Sequence, residues 1–287
     1  MNTLRQFINK TIYTFHLRCR RFVGWWICFM HHYSFDNFPF RFTSPQKNGG
    51  FGTFETMATE YLKSRYYHLP ERKRRQILLK KIWGGKAGSI WHQEIKPLYN
   101  KNKLFMKTRE PLLQFILSLP KSKYNCLIEL GCGNGWFLNL LSERLPFLHK
   151  FIGLDVNQKT VRLAQTRYQT NHRLTFLTTD LNAYAKTHTL KKKVLVSCFV
   201  LEYFSTQELV RLCHLLKQHR PLSLAFIERV RQDSLKTKRS QAIGDFSFSH
   251  NYPEIFKDCG LTKLKLKRSR IPDDSDFINF VGLLMIE

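Results

Sequence analysis

Acidic side chains are scarce in this chain: 21 Asp and Glu stand against 47 Lys and Arg over 287 residues, a formal net charge of +26. A deficit of that size speaks against a cationic partner and asks for something anionic nearby. It is also uneven. Residues 1–110 hold 21 basic and 6 acidic side chains and residues 111–287 hold 26 and 15, so a strongly basic N-terminal region precedes a more moderate domain. Long apolar runs are missing as well. The longest uncharged run near the start, residues 22–35, falls short of the roughly 20 apolar residues that a membrane span requires. The apolar residues 22–30 have a basic flank in Arg18, Arg20 and Arg21, but His31, His32 and Tyr33 stand where a secretory signal needs small residues before cleavage. The seven cysteines are odd in number and scattered, with neither a C-x-x-C pair nor a His/Cys cluster at zinc spacing. A reduced, cytoplasmic compartment and no metal site are therefore expected. Internal repeats and low-complexity tracts are lacking too.

Residues 4–30 read as an amphipathic helix in which Leu4, Phe7, Ile8, Ile12, Phe15, Cys19, Phe22, Val23, Trp26 and Met30 recur near helical spacing, opposite Arg5, Lys10, Arg18 and Arg21. With Trp25 added, this is the composition of a helix lying in a bilayer interface. Each basic side chain near an anionic leaflet adds about 1 kcal/mol of attraction, and the run Arg72, Lys73, Arg74, Arg75 could supplement the anchor. The alternative is a lid folded over the domain. Pro39, Pro45, Gly49, Gly50 and Gly52 mark residues 38–52 as a linker, and helical stretches follow at 54–67 and 71–83 before a Gly-rich turn at 84–88. The expected organisation is a basic helix and linker over 1–52, a basic helical segment over 53–109 and a main domain over 110–287.

From Glu110 onward strand and helix patterns alternate, which predicts a parallel sheet covered by helices on both faces. Strands are expected at 126–130, 151–155, 174–178, 194–198 and 223–227, with helices at 136–143, 158–168 and 206–217. A short helix at 252–259 precedes two final strands, 261–267 and 277–286, joined by a Pro-Asp-Asp-Ser turn.

The segment Ile128-Glu129-Leu130-Gly131-Cys132-Gly133-Asn134-Gly135 is an apolar strand running into a turn with three glycines and then a helix. Such a turn lets a ligand approach the main chain closely. Three acids sit at strand ends: Glu129, Asp155 and Asp180. In a parallel sheet these ends share one edge, and Asp155 follows Gly135 by the interval at which a carboxylate accepts ribose hydroxyls. Helix capping would explain any one of the three acids but strains to explain all of them. A nicotinamide-binding enzyme competes for this pattern, but its fingerprint wants Gly or Ala where Trp136 stands.

The segment from Tyr124 to about Glu228 resembles the class I S-adenosylmethionine-dependent methyltransferase superfamily, in its small-molecule branch. The likeness rests on the glycine motif, Gly153-Leu154-Asp155-Val156, Thr179-Asp180-Leu181 and the stretch from Ser197 to Phe204, in the family's order. It implies a doubly wound α/β fold with a seven-stranded, mostly parallel sheet and an N-terminal helical extension. It also implies S-adenosyl-L-methionine as cofactor, held between Tyr124 and Tyr203. By resemblance, Glu129, Gly131, Cys132, Gly133 and Gly135 cradle the methionine portion, Asp155 and Val156 bind the ribose side, and Asp180 with Leu181 frames the adenine. Many relatives have Leu-Glu-His where this chain has Leu201-Glu202-Tyr203, and Phe199 replaces the upstream acid with which some bind a divalent ion. Tyr203 and His250 are the candidate catalytic residues, and Tyr252 also falls where relatives place substrate-facing groups. The expected acceptor is small, apolar or membrane-associated, of lipid, quinone or saccharide type, with residues 1–30 meeting an anionic membrane from the cytoplasmic side. RNA methylation through the basic region, or a cofactor-binding scaffold without activity, are the alternatives.

Overall fold

The computed structural model describes residues 18–19, 21–30, 53–85, 88–89, 92, 103–237, 240–243, 247–271 and 274–287. Two compact units emerge, Met1–Trp91 and His92–Glu287. Residues 4–17 of the expected N-terminal helix and the whole expected linker at 38–52 lie outside the described residues.

In the first unit residues 21–30 are helical and pack on helix α1 (Thr53–Ser64). The two backbones approach closely because Gly24 has no side chain: a Cβ there would stand 2.1 Å from the Met57 carbonyl oxygen. Ile27, Cys28, Ala58 and Leu62 are buried, and Arg21 pairs with Glu60 at 3.8 Å. Helix α2 (Glu71–Trp83) starts after Pro70 and buries Leu78 and Ile82, while Arg21 and Arg74 lie over the Tyr67 ring at 4.9 and 5.2 Å. The other side of helix 21–30 carries Phe22, Trp25, Trp26, Phe29 and Met30, all exposed, Phe22 to 66% and Phe29 to 63%. These five recur at i, i+3, i+4, i+7 and i+8, the spacing of a single helical stripe.

The second unit starts with helix α3 (Lys103–Leu117), so the boundary expected at residue 110 falls inside a helix that continues through Pro111. Its Leu112, Leu113 and Ile116 belong to the sheet's core. Then follow β1 (Cys126–Leu130), α4 (Trp136–Arg144), β2 (Lys150–Asp155), α5 (Gln158–Arg167), β3 (Leu174–Thr178), α6 (Leu181–Ala185), β4 (Lys193–Cys198), α7 (Thr206–Gln218) and β5 (Leu222–Arg231). A small hairpin, β6 (Gln241–Ile243) and β7 (Ser247–Ser249), α8 (Tyr252–Asp258), β8 (Leu264–Ile271) and β9 (Asp274–Ile286) complete the chain.

The main sheet has seven strands in the order β3-β2-β1-β4-β5-β9-β8. The first five are parallel, and β9 runs antiparallel to both of its neighbours. Strands buried on both faces need apolar residues at every position, and every residue of β1 is buried. Leu127, Phe151, Val194 and Ala225 pack under α3, α4 and α5, while Ile128, Leu154, Leu195 and Phe226 pack under α7 and α8. Each of these side chains larger than alanine contributes about 1.5–3 kcal/mol by leaving water. From β1 the chain winds outward to β3 and then crosses to β4 on the other side, so a crevice opens between the carboxyl ends of β1 and β4.

The last strands differ from expectation in extent. Strand β5 runs to Arg231 and β9 begins at Asp274, because their backbone ladder continues past the apolar residues to pair Arg231 with Phe277. Residues 272–273 of the expected turn lie outside the described residues, and β8 spans 264–271 instead of 261–267. Among the described residues no helix is long and apolar enough to cross a membrane.

Candidate active site

The turn after β1 is built from backbone. Gly131, Gly133 and Gly135 all adopt left-handed φ, at 62°, 55° and 74°. At Gly133 a Cβ would stand 2.2 Å from the His92 ring, and at Gly135 it would stand 2.6 Å from Phe176, so close packing adds to the conformational demand. The turn is tied to β2 by the Cys132 N–H, which donates to the Leu154 carbonyl at 3.1 Å. Asn134, fully buried, donates to the His92 carbonyl at 2.9 Å and accepts from the Trp136 N–H at 3.2 Å, joining the residue ahead of α3 to the start of α4.

Asp155 ends β2 and accepts from two backbone groups, Gly133 N–H at 2.9 Å through Oδ2 and Asn157 N–H at 2.8 Å through Oδ1. Each carboxylate oxygen keeps acceptor capacity beyond these bonds. Next to it Val156 leaves its side chain 54% exposed, an uncovered apolar surface at the sheet's carboxyl edge. Asn157 then caps α5 through Thr160 N–H.

On the α3 face of β1, Glu129 is 2% exposed, and Arg109 from α3 is buried near it. The guanidinium lies 5.4 Å from the ring centres of both Phe137 and Phe199. Burial lowers its proton affinity, and the neighbouring Cys198 and Glu129 oppose that effect.

The carboxyl ends of β4 and β5 carry a different construction, made of side chains. Phe199 takes a left-handed φ of 59°, a strained conformation for an aromatic residue, and its N–H donates to the Ile227 carbonyl at 2.9 Å. Below it Glu228 is fully buried. It accepts from Ser197 Oγ at 3.1 Å, Val200 N–H at 3.2 Å, Leu201 N–H at 3.0 Å and Glu202 N–H at 3.3 Å. Burial and the neighbouring Glu202 outweigh these donors and push its carboxyl up to about 8. Glu202 is pushed to about 7 by burial, opposed by a hydrogen bond with Tyr203 and by Arg229. The Tyr203 phenol is raised well above its ordinary range by burial and then by Glu202. His250 is fully buried, its Nδ1 2.6 Å from Ser240 Oγ and its Nε2 2.9 Å from the Phe204 carbonyl.

Residues 127–219 match a family described as a methyltransferase domain. Among solved structures, the chain resembles magnesium protoporphyrin IX methyltransferase from Synechocystis PCC 6803 with bound S-adenosylmethionine (TM-score 0.51, 13% identity), over 76% of this chain and 98% of that one. It also resembles human N-acetylserotonin methyltransferase in complex with S-adenosylmethionine (TM-score 0.55, 13% identity), over 78% of this chain and 62% of that one. Residues 127–219 therefore carry a methyltransferase domain, on the fold of the S-adenosylmethionine-dependent methyltransferases. At these identities the solved structures speak for its fold. A comparison with curated proteins finds no match.

Within this methyltransferase domain the structure brings Glu129, Gly131, Gly133, Gly135, Asp155 and Val156 to the carboxyl ends of β1 and β2. Asp180 and Leu181 stand at the end of β3, where Asp180 is exposed and caps α6 by accepting from Ala183 N–H at 2.8 Å. The Cys132 side chain faces the core, where it would stand 2.7 Å from a Cβ on Gly153, which leaves its backbone to the turn. Two expectations need correcting. His250 has both ring nitrogens engaged inside the protein, which removes it from proton transfer and makes it a brace for the Phe204 carbonyl. Tyr252 is wholly buried against Phe226 and Phe256, so its ring is part of the core packing rather than an open substrate-facing surface. Tyr124, bounding the expected cofactor stretch, precedes β1 and bonds Ser223 Oγ at 2.7 Å, on the sheet edge opposite the glycine turn. Sequence reading missed Arg109, His92, Glu202 and Glu228. Arg109 was legible in principle: it stands at i−3, i−4 and i−7 from Leu112, Leu113 and Ile116, a lone cation on an apolar stripe.

Proposed function

We propose that this domain methylates a small acceptor, of lipid, quinone or saccharide type, held over the carboxyl ends of β4 and β5 at the surface of an anionic membrane. One observation carries the cofactor half of this reading: a Gly133 N–H, the Asp155 carboxylate and an uncovered Val156 stand side by side at the switch point. A carboxylate suits a ribose diol, an apolar surface suits an adenine face, and the Glu129 carboxylate suits an ammonium, so the donor set fits the cofactor. S-adenosylmethionine supplies a methyl carbon on a sulfonium, open to in-line displacement. The chain's task is then to hold the acceptor in line and exclude water. Asp155 would hold the ribose, Val156 with Asp180 and Leu181 would frame the adenine, and the glycine turn would admit the methionine portion. For a hydroxyl acceptor, Glu202 takes the proton, its carboxyl being pushed to about 7 with Tyr203 bonded to it.

The membrane half is supported by the exposed stripe Phe22, Trp25, Trp26, Phe29 and Met30 and by the chain's net charge of +26. Full-length protein should sediment with phosphatidylserine vesicles, and Trp25→Ser with Trp26→Ser should reduce that binding about tenfold or more. Unchanged sedimentation would remove the stripe as anchor. Incubation with labelled cofactor and fractionated cell extract tests the transfer. Label in a lipid or small-molecule fraction is expected, label confined to RNA overturns the acceptor class, and no label at all points to a scaffold.

A further inference from the structure

We propose that Lys236, Arg268 and Arg270 form a subsite for a phosphate-class anion, which the methyl acceptor carries some way from the atom that is methylated. The word acceptor rests on the methyl-transfer reading above; the anion site does not.

A groove of about 450 Å³ is lined by these three cations together with Gln232, Leu235 and Ile278. Its place in the sheet gives it meaning. Strand β9 is antiparallel to both neighbours, so β8 runs in the direction of β5 and its far end reaches the same edge as the active site. The registers are explicit: Phe280 pairs with Glu228 on one side and Arg268 on the other, and Ile278 pairs with Val230 and Arg270. Two strand spacings put Arg268 about 10 Å from the backbone of Glu228, and a third brings the total to about 14 Å from β4. That is the length of a small extended molecule.

Arg231 pairs with Asp233, and Lys123 and Lys263 both reach Glu287. Among the described residues no carboxylate pairs with Lys236, Arg268 or Arg270. Arg268 is an exposed residue whose guanidinium carbon stands 5.6 Å from the centre of the Phe280 ring, a cation–π contact that orients it. Three cations in one concavity repel one another, an anion set among them relieves that repulsion, and the planar fork of arginine suits phosphate oxygens. The groove's size suits a head group.

The phosphate can come from a lipid head group or from a soluble metabolite. Calorimetry on the full-length protein near physiological salt, with dihexanoyl phosphatidic acid and with glycerol 3-phosphate as probes, separates the sources. At least one probe should bind, and Arg268→Gln with Arg270→Gln should weaken it about tenfold or more. Lys265→Gln with Lys267→Gln removes the same charge from the same strand, but alternation places those side chains on the opposite face, so binding should persist. Binding of the lipid alone assigns a head group, and equal binding assigns a soluble anion. Failure of both probes, or equal weakening by the two double variants, overturns the site. S-adenosylmethionine titrated into the same samples should bind all of them alike. Its failure with the parent protein would count against methyl transfer and leave the anion site standing.

Discussion

The two sides of the crevice are made in different ways. On the β1–β2 side the surface is main chain: three left-handed glycines, backbone N–H groups and one carboxylate that fastens Gly133 to Asn157. On the β4–β5 side it is side chain: a buried glutamate gathers one donor from β4 and three from the loop after it, and a histidine from a distant loop braces that loop again. Backbone presents the same groups whatever the sequence around it, which suits a constant ligand. Side chains can be exchanged one by one, which suits a variable acceptor. The difference teaches that the β1–β2 side is specified by residue conformation and the β4–β5 side by tertiary contact.

The largest test of this contrast is Asp155→Ala. It removes the acceptor of two backbone N–H groups at the rim of the glycine turn, and S-adenosylmethionine affinity measured by calorimetry should fall about 100-fold or below detection. Unchanged binding would mean that backbone alone forms the site and that the carboxylate serves only the loop.

A smaller effect should set the acceptor half apart by its pH response. The Glu228 carboxyl is raised from 4.5 to about 8, so the folded chain holds a proton there that the unfolded chain has released at neutral pH. The native state binds more protons between those values, and stability must therefore fall as pH rises from about 5 to about 8. The span is worth on the order of a few kcal/mol. Thermal midpoints taken at pH 6 and pH 9 should show the decline in the parent protein and a flatter profile in Glu228→Gln. An identical slope in both would place the titration elsewhere.

The smallest test concerns the helix that leads away from the acceptor loop. Ser205 accepts from Glu208 N–H at 3.3 Å while Ser205 N–H donates back to the Glu208 carboxylate at 2.7 Å, a reciprocal cap on α7. Ser205→Ala should cost about 1 kcal/mol in denaturant unfolding with cofactor affinity unchanged. A loss of cofactor affinity would join the two halves more tightly than their construction suggests.

The same division explains what could be read from the chain. Apolar runs such as that from Cys126 to Leu130 can only be buried strands, and Gly131, Gly133 and Gly135 announce their own backbone requirement, so the sheet and its glycine turn were legible. His250 was not. Its two partners, Ser240 and Phe204, lie 10 and 46 residues away, and no local pattern records that both nitrogens are taken. Glu228 was hidden because it continues an apolar strand and draws on four groups near residue 200. The β6–β7 hairpin was missed because its Gln, Ser and Ala residues carry no strand signature.

An open sheet ends in strands whose outer N–H and C=O groups invite a second molecule to add itself as the next strand. Here that outermost position belongs to β8, whose exposed residues include Lys265, Lys267, Arg268 and Arg270. Two such edges brought together would set eight like charges against each other, so this border of the domain resists self-association while still welcoming an anion.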